Sequence, residues 1–390
     1  MNITVEIDSE NIAVCKLDGS INSTNAIEFE TALKDYPGDK NGIIIDAKNL
    51  EYISSAGLRV ILSAKKRSGE KIFKVINVNN DVNSVFEMTG FSEIMDISTA
   101  NREISVVGCK MIGHGACGEC YRLNDETIVK LYYPKVSDAE IEREKAFAKK
   151  AFVMGVPTAI SYDIVQCDGR KGVIYELIKS KTLSELFRED YANKDKYIKM
   201  YADTVKKINA IHTDDEEIPS FKIDNRNDIK KIVGITDEER DYLYKFIDEI
   251  VPDGDHVIHG DLNINNIMVE NGECLLIDMG ELSKGTGMWD LSRVLCSMVY
   301  TNPDEGFNDF YKLDSTQVKE IFDEFITSYF GCDLDTAVKT IPEAKYLLPL
   351  SYFRACVMMI RENRFPQYKV DLALDILRNK LIPFIKENLK

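Results

Sequence analysis

Three polar side chains in the second half of the chain have the spacing that phosphoryl transfer requires. Asp261 lies five residues before Asn266, and Asp278 follows twelve residues after Asn266. An acid in the first position can orient or deprotonate a hydroxyl nucleophile, while an amide and a second acid can hold Mg²⁺ on the phosphates of a nucleotide. We therefore predict Asp261 as the catalytic residue, Asn266 and Asp278 as metal ligands, and ATP and Mg²⁺ as cofactors.

Short apolar segments flank these polar residues and would carry them at the ends of rigid strands. The segments cover 257–258, 267–269 and 275–277, and Asn271 and Gly272 supply a turn between the last two. Asp, Asn and Gly are also the residues that ordinary turns select, so each motif taken alone is equally compatible with a simple loop.

A glycine-rich hairpin precedes these motifs and strengthens the prediction. Gly113, Gly115 and Gly118 lie within 112–121, where residues without side chains let backbone N–H groups approach phosphate oxygens. The segment that follows, 127–133, reads as an apolar strand, whereas a dinucleotide-binding turn would open a long helix. The hairpin is therefore predicted to bind a nucleotide in the manner of kinases.

Lys130 is embedded in that apolar strand and needs a negatively charged partner, because an unpaired cation in a buried strand is costly. The predicted partners are the nucleotide phosphates and Glu144, on a helix predicted over 139–154. Glu142 is the alternative. The spacing of the apolar residues places Glu144 near the apolar face, although a register error of one residue would reverse the choice.

Residues from about Ile104 to the C-terminus resemble the aminoglycoside phosphotransferase and choline kinase family, which shares the protein-kinase fold. The resemblance rests on the order of the glycine-rich hairpin, the strand lysine, the segment 259–266 and the triplet 278–280. Two details resemble this family in particular. Gly260 stands where protein kinases carry Arg, and the triplet Trp289-Asp290-Leu291 follows the second acid.

The resemblance implies a bilobal fold, with an N-lobe over 104–178 and a largely helical C-lobe over 179–390 that includes the acceptor-binding region. It also implies a hinge at which backbone groups of Glu176 and Ile178 contact adenine. No Ala-Pro-Glu triplet or long activation segment of the protein-kinase type follows Asp278. The expected acceptor is therefore a hydroxyl group of a small molecule.

The C-lobe shows helical spacing of apolar residues. A capping box at Thr236 begins the helix before residues 259–266, which are called the catalytic segment below because of their predicted role. The other predicted helices cover 291–299, 318–330, 342–362 and 371–388. Trp289, Tyr346, Tyr352 and Phe353 could line a pocket for a cationic or ring-shaped substrate, or could simply pack in the core.

The first hundred residues alternate strands and helices, which is typical of an α/β domain. Strands are predicted over 5–7, 13–17, 42–46 and 73–78, and helices over 26–33, 56–67 and 80–89.

This half, residues 1–100, resembles the STAS domain of anti-sigma-factor antagonists through the segments 18–22, 46–50 and 53–58. The resemblance implies a regulatory domain with a protein partner, and it places Ser55 at the phosphorylatable position. The free N–H groups of a helix start favour a phosphate there. Ser54 or Ser55 could equally be a simple helix cap. Asn22 and Ser54 stand where many antagonists carry acids.

Length and charge agree with two domains and narrow the range of partners. The chain has 390 residues, more than a single core usually supports, and a polar stretch at 98–103 is the predicted linker. The net charge of -16 disfavours nucleic acid and anionic membrane surfaces as partners. The absence of a leader-like or membrane-spanning pattern favours the cytoplasm.

The cysteines and histidines are predicted to have structural roles. Nine cysteines, an odd number, fit reduced thiols, and the pair Cys117 and Cys120 lacks a second pair for a zinc site. We expect His212 to cap a helix over 197–211, His256 to begin a strand, and His259 to be a structural part of the catalytic segment. His114 lies at the tip of the glycine-rich hairpin.

The sequence thus predicts an ATP-dependent phosphotransferase with a STAS-like regulatory domain. Two alternatives remain, a nucleotide-binding pseudokinase scaffold and a protein kinase in a STAS/anti-sigma-type signalling pathway.

Overall fold

The computed structural model describes residues 1–99, 102–300, 307–308, 310–360 and 365–389. The chain forms two compact units, Met1–Ile104 and Ser105–Lys390. Among the described helices, none combines the length and the apolar character that crossing a membrane would require.

The first unit is a five-stranded sheet with helices in the connections. Strands pair in the order β1-β2-β3-β4-β5, antiparallel between β1 and β2 and parallel thereafter. The strands are β1 (Asn2–Ile7), β2 (Ile12–Ile21), β3 (Gly42–Ile53), β4 (Ile72–Val78) and β5 (Asp96–Thr99), followed by the two-residue β6 (Arg102–Glu103). The helices are α1 (Ala26–Leu33), α2 (Ser55–Ser68) and α3 (Asn80–Met88).

Strand β3 continues well beyond the predicted end at residue 46. Its apolar run stops there, but pairing with β2 carries it on to Ile53, with two irregularities in register. Because this extension depends on a neighbouring strand and not on local hydrophobicity, the sequence pattern alone could not indicate it.

Helix α2 begins with a side-chain cap that decides between the two serines. The hydroxyl of Ser54 accepts a hydrogen bond from the N–H of Gly57 at 3.4 Å, whereas Ser55 is the first helical residue and is exposed. Ser54 is therefore the cap, and the hydroxyl of Ser55 is accessible from solvent.

The second unit opens with an antiparallel sheet whose strands follow the order β10-β11-β9-β8-β7. These strands are β7 (Lys110–His114), β8 (Gly118–Arg122), β9 (Thr127–Tyr132), β10 (Ser161–Cys167) and β11 (Arg170–Glu176). Helix α4 (Asp138–Val153) lies between β9 and β10 in sequence and begins with a capping box of Ser137 and Glu140. This part positions the lysine and its acidic partner.

The rest of the unit is mainly helical, with small sheets that carry the catalytic segment. Its strands are β12 (Lys181–Thr182), β13 (His256–Ile258), β14 (Ile267–Glu270), β15 (Glu273–Leu276), β16 (Ser283–Gly285), β17 (Phe307–Asn308) and β18 (Leu313–Asp314). Its helices are α5 (Leu183–Glu189), α6 (Lys194–Asn209), α7 (Phe221–Asp228), α8 (Asp237–Lys245), α9 (Met288–Leu295), α10 (Ser315–Phe330), α11 (Leu334–Thr340), α12 (Leu347–Ile360), α13 (Gln367–Ile376) and α14 (Ile382–Asn388).

Three of the predicted C-lobe helices differ from the structure. The helix predicted over 291–299 is α9 as far as Leu295 and then a π-helical turn over Cys296–Tyr300. The helix predicted over 342–362 begins at Leu347, with Pro349 in its first turn, where a missing N–H is tolerated; residues 361–362 lie outside the described part. The helix predicted over 371–388 is two helices, joined by a wider π-helical turn over Leu377–Leu381. Pro383 cannot donate to the preceding turn, which explains the change of hydrogen-bond pattern there.

Replacing Ser54 by Ala should lower the free energy of unfolding of the first unit by about 1 kcal/mol, because helix α2 loses its cap. The matched control is Ser55→Ala, which removes an exposed hydroxyl and should change little. Hydrogen exchange of the α2 amides and denaturant unfolding followed by circular dichroism measure both effects. Equal behaviour of the two variants would contradict the assignment of the cap.

Candidate active site

The catalytic segment lies between two pairs of short antiparallel strands. Strand β13 pairs with β16, and β14 pairs with β15. Asp261 lies three residues beyond the end of β13, Asn266 immediately precedes β14, and Asp278 follows β15 by two residues. All three side chains therefore project from ends of hydrogen-bonded elements.

Asp261 and Asn266 are in direct contact. The Nδ2 of Asn266 donates to Oδ2 of Asp261 at 3.0 Å and to the backbone oxygen of the same residue at 3.1 Å. The Nε of Arg293 donates to the other carboxylate oxygen, Oδ1, at 2.7 Å. The side chain of Asp261 remains 35% exposed, so a ligand can still reach it.

The charge state of Asp261 follows from these neighbours. Burial opposes ionisation, but the charge of Arg293, together with the hydrogen bond that Arg293 donates, holds the pKa of Asp261 below its ordinary value. Asp261 is therefore an ionised hydrogen-bond acceptor at neutral pH.

The backbone of the segment is held by a buried acid. Asp290, which has no exposed surface, accepts the N–H of His259 on Oδ2 and the N–H of Gly260 on Oδ1, both at 2.9 Å. Burial raises the pKa of Asp290, and these donors together with nearby positive charge oppose that rise. One side chain thus fixes two consecutive peptide groups directly before Asp261.

His259 has a structural role in this loop. Its Nδ1 accepts the N–H of Asp261 at 3.2 Å, and its Nε2 lies 3.0 Å from the backbone oxygen of Ile277. An N–H can only donate and a carbonyl can only accept, so the ring is the neutral tautomer protonated on Nε2. Both ring nitrogens are occupied, which leaves neither free to act as a base.

Gly260 is required by the geometry of the loop. Its φ is +82°, and a Cβ at this position would clash with the backbone oxygen of Glu281. The glycine that replaces the arginine of protein kinases therefore has a local steric explanation.

Lys130 lies between two carboxylates. Its Nζ is 2.6 Å from Oε1 of Glu144 and 3.0 Å from Oδ1 of Asp278. Glu142, the alternative partner, is exposed and lies 3.9 Å from Lys171 instead. Burial opposes the charged form of Lys130, but Asp278 and Glu144 outweigh it and raise the pKa of its ammonium group.

The three glycines of the hairpin differ in their surroundings. Gly118 packs so closely on β9 that a Cβ would clash with the backbone oxygen of Leu131. Among the described residues, no atom lies within 4 Å of such a Cβ at Gly115, and at Gly113 the nearest lies at 3.9 Å. Strand packing thus explains Gly118, while Gly113 and Gly115 border open space that a ligand could occupy.

The predicted hinge follows strand β11. The N–H of Glu176 donates to the backbone oxygen of Ile160 at 2.9 Å, and the N–H of Leu177 donates to that of Glu126 at 2.8 Å. Glu176 can therefore offer adenine its carbonyl group but not its N–H. Ile178 is buried immediately beyond.

The oxygen donors of Asn266 and Asp278 suit Mg²⁺. The amide nitrogen of Asn266 is committed to Asp261, so its carbonyl oxygen faces elsewhere. Asp278 has a φ of +64°, and its side chain is 48% exposed. A carboxylate and an amide oxygen are ligands that this hard cation prefers, so the residues fit the ion.

Two buried arginines were missed by the sequence analysis. Besides the contact of Arg293 with Asp261, the Nη2 of Arg354 donates to the backbone oxygen of Gly260 at 2.7 Å. Burial, and then the like charge of Arg293, lower the pKa of Arg354 to about 10. Every residue of helix α9 is buried, so a charged residue in that apolar pattern could have indicated a buried partner.

The aromatic residues considered for an acceptor pocket divide into two groups. Trp289 and Phe353 are fully buried, and Trp289 packs edge-on against Phe221 and Phe353. Tyr346 and Tyr352 are partly buried against the same core. Core packing, the alternative role, accounts for the first two.

Comparisons with known proteins address both units. Residues 3–104 match the STAS domain, and residues 109–321 match a family described as the phosphotransferase enzyme family. BtrV, a proposed anti-sigma factor antagonist from Bordetella bronchiseptica, is 33% identical over 116 residues, which cover 28% of this chain and 96% of BtrV.

Two solved structures are similar at low identity. The ADP-bound aminoglycoside phosphotransferase APH(2'')-Ib is 16% identical over 70% of this chain and 93% of its own, with a TM-score of 0.47. The amicoumacin kinase hAmiN in complex with AMP-PNP, Ca²⁺ and Ami is 12% identical over 77% of this chain and 96% of its own, with a TM-score of 0.46.

The family matches bear on two of the predictions. The resemblances to STAS domains and to aminoglycoside phosphotransferases are confirmed. The predicted fold class is confirmed as well, with a STAS-like α/β unit followed by a kinase-like fold whose C-terminal region is largely helical.

Replacing Asp290 by Asn should lower the free energy of unfolding of the second unit by about 2 kcal/mol, because an amide has one acceptor oxygen for two buried N–H donors. Trp289, the single tryptophan, is buried next to this residue and reports unfolding by fluorescence. The matched control is Asp241→Asn, whose side chain is 60% exposed. A stability loss no greater than that of the control would show that Asp290 does not support the loop.

Proposed function

We propose that this chain, which belongs to the phosphotransferase enzyme family, transfers the γ-phosphoryl group of ATP to a hydroxyl group of a small molecule. The single observation that carries the proposal is the convergence of Lys130 on both Glu144 and Asp278, at 2.6 and 3.0 Å. Residues 148 positions apart in sequence meet there, which a set of unrelated turns would not produce.

In the proposed mechanism, Lys130 and the open part of the glycine-rich hairpin, Gly113 and Gly115, bind the nucleotide phosphates. Glu144 holds the lysine in place, and Gly118 sets the close packing of the hairpin on its neighbour strand. The carbonyl group of Glu176 and the N–H of Ile178 would bind adenine. The roles of these residues in nucleotide binding are those that the resemblance to the kinase-like family implies.

Asn266 and Asp278 would hold Mg²⁺ through one amide oxygen and one carboxylate. When bound, the ion supplies positive charge that neutralises the phosphates during transfer. Lys130 lies beside Asp278 and adds a second positive charge at the same place. Positive charge fixed in advance is the form of stabilisation that phosphoryl transfer depends on most.

Asp261 would accept a hydrogen bond from the attacking hydroxyl group. Both of its oxygens are already hydrogen-bonded, and Arg293 keeps its pKa low. An acid of this kind orients a hydroxyl group well but removes a proton weakly. We therefore assign Asp261 chiefly to orientation of the acceptor.

The STAS domain is proposed to be regulatory, with a protein partner and Ser55 as the phosphorylation site. Support comes from Ser55 itself, which is exposed in the first turn of α2. The side chain of Ser54 caps the helix, so the hydroxyl of Ser55 is not needed as the cap. The free N–H groups of this turn would favour a phosphate.

Replacing Lys130 by Met should reduce kcat/KM for ATP turnover by at least about 100-fold, because a fixed positive charge at the phosphates is lost. The assay uses Mg-ATP with a panel of hydroxylated small molecules. The control is Lys171→Met, which removes a lysine of the same sheet that pairs with Asp138. Thermal stabilisation by Mg-ATP without turnover of any acceptor would favour a pseudokinase scaffold, and equal turnover of both variants would exclude the assigned role of Lys130.

Replacing Arg293 by Gln should move the acid limb of the pH profile of kcat/KM to higher pH. Arg293 lowers the pKa of Asp261, and without it the burial of that carboxyl group raises the pKa. Arg293→Lys retains the charge and should stay close to the parent. An acid limb that does not move in the Gln variant would show that Asp261 is not the titrating group.

If the kinase-like unit phosphorylates the STAS domain of its own chain, phosphate should appear on Ser55 after incubation of the chain with Mg-ATP. Phosphosite mass spectrometry compares the parent with Ser55→Ala and Asp261→Asn. A signal that persists in Asp261→Asn would assign the reaction to another kinase. Lack of any Ser55 phosphate in the parent would refute self-phosphorylation while leaving the small-molecule activity intact.

A further inference from the structure

Two of the four histidines lie side by side and have no role in the site described above. His212 follows helix α6, and His256 is the first residue of β13. The N–H of Thr213 donates to the oxygen of Asp255 at 2.9 Å, and the N–H of Val257 donates to that of Ile211 at 2.8 Å. These bonds flank the two histidines and make them a non-hydrogen-bonded antiparallel pair, the position at which opposite side chains approach most closely.

The contact between the rings agrees with that backbone geometry. Their centroids are 4.2 Å apart, and the ring planes are inclined by 43°. Nδ1 of His256 is buried and has no hydrogen-bond partner within the part of the chain that the structure describes. No hydrogen bond from this nitrogen therefore holds the His256 ring in its present orientation.

Asp255 completes a cluster of three. Its Oδ1 is 2.8 Å from Nδ1 of His212, and one ligand atom from each of Asp255, His212 and His256 lies within 4.8 Å of the other two. The side chains of His212 and Asp255 are more than half exposed, so an ion could reach them from solvent.

We propose that His212, Asp255 and His256 bind a transition-metal ion of the Zn²⁺ class. Two imidazole nitrogens and one carboxylate are a typical set for this ion, whereas Mg²⁺ prefers oxygen ligands only. Bonds of about 2 Å to three tetrahedral positions require ligand atoms about 3.3 Å apart. Rotation of the two exposed side chains can provide that small closure, and water can fill the fourth position.

The ion would join two segments that are distant in sequence. It would connect His212, three residues beyond the end of α6, to the start of β13, and β13 leads directly into His259 and the catalytic segment. The proposal does not depend on the proposed phosphotransferase activity, because it concerns different donor atoms and a different kind of cation.

The test is titration of the untagged full chain with Co²⁺ and Zn²⁺, followed by absorption spectroscopy, calorimetry and thermal unfolding. We expect one ion bound with a dissociation constant on the order of micromolar, and a rise of the unfolding midpoint that depends on metal concentration. The proposed ligands are two imidazoles and a carboxylate, so the Co²⁺ spectrum should contain visible bands without the intense near-ultraviolet band of thiolate ligation. This band is the necessary check, because the chain also has nine free cysteines.

The variants His212→Ala and His256→Ala should each weaken binding at least tenfold, and Asp255→Asn should weaken it measurably. His114→Ala is the matched control and should bind like the parent. Circular dichroism checks that each variant is folded. If a histidine variant does not fold, the conservative Asp255→Asn variant still tests the site. Unchanged binding in all three site variants, or binding that is lost in Cys117→Ser and shows a thiolate band, would overturn the proposal.

Discussion

Four charged side chains meet at the catalytic segment, and the burial of three of them makes the members of this cluster dependent on one another. Asp261 and Asp290 contribute two negative charges, and Arg293 and Arg354 contribute two positive ones. Asp290 has no exposed surface, and the arginines are more than nine-tenths buried. Two negative charges balance two positive ones, so removal of any member leaves an uncompensated charge. A buried charge without a partner costs several kcal/mol.

The same cluster holds the backbone of the segment that is predicted to be catalytic. Asp290 accepts the N–H groups of His259 and Gly260, and Arg354 donates to the oxygen of Gly260. The peptide groups on both sides of Gly260 are therefore fixed by side chains from α9 and α12. This arrangement also requires the positive φ of Gly260, and hence a glycine. The position of Asp261 therefore depends on contacts with residues distant in sequence as well as on the preceding strand β13.

This origin explains which parts of the site could be predicted from the sequence. The order of motifs indicated the family, and local patterns indicated most elements, including helix α1 at Ala26–Leu33 and the capping box at Thr236. The helical pattern also favoured Glu144, which the structure places 2.6 Å from Lys130. These features depend on neighbours along the chain or on one amphipathic face.

Features set by distant partners escaped prediction. Strand β3 extends past residue 46 through pairing with β2, and Arg293 contacts Asp261 across 32 positions of sequence. Local hydrophobicity carries no information about such partners. The glycine motif shows a related difficulty, because Gly118 is fixed by strand packing and Gly115 borders open space. One sequence pattern therefore combines a structural glycine with one that is available to a ligand.

Strand β13 has only three residues, and a strand this short gains little stability from its own pairing with β16. Its position must depend on what holds its two ends. Asp290 holds the C-terminal end through His259. At the N-terminal end, the backbone contacts of Asp255 and Val257 with the residues after α6 provide the second attachment. The short strand that leads into the catalytic segment is thus held at one end by a buried ionic cluster and at the other by backbone contacts beside a partly exposed histidine pair.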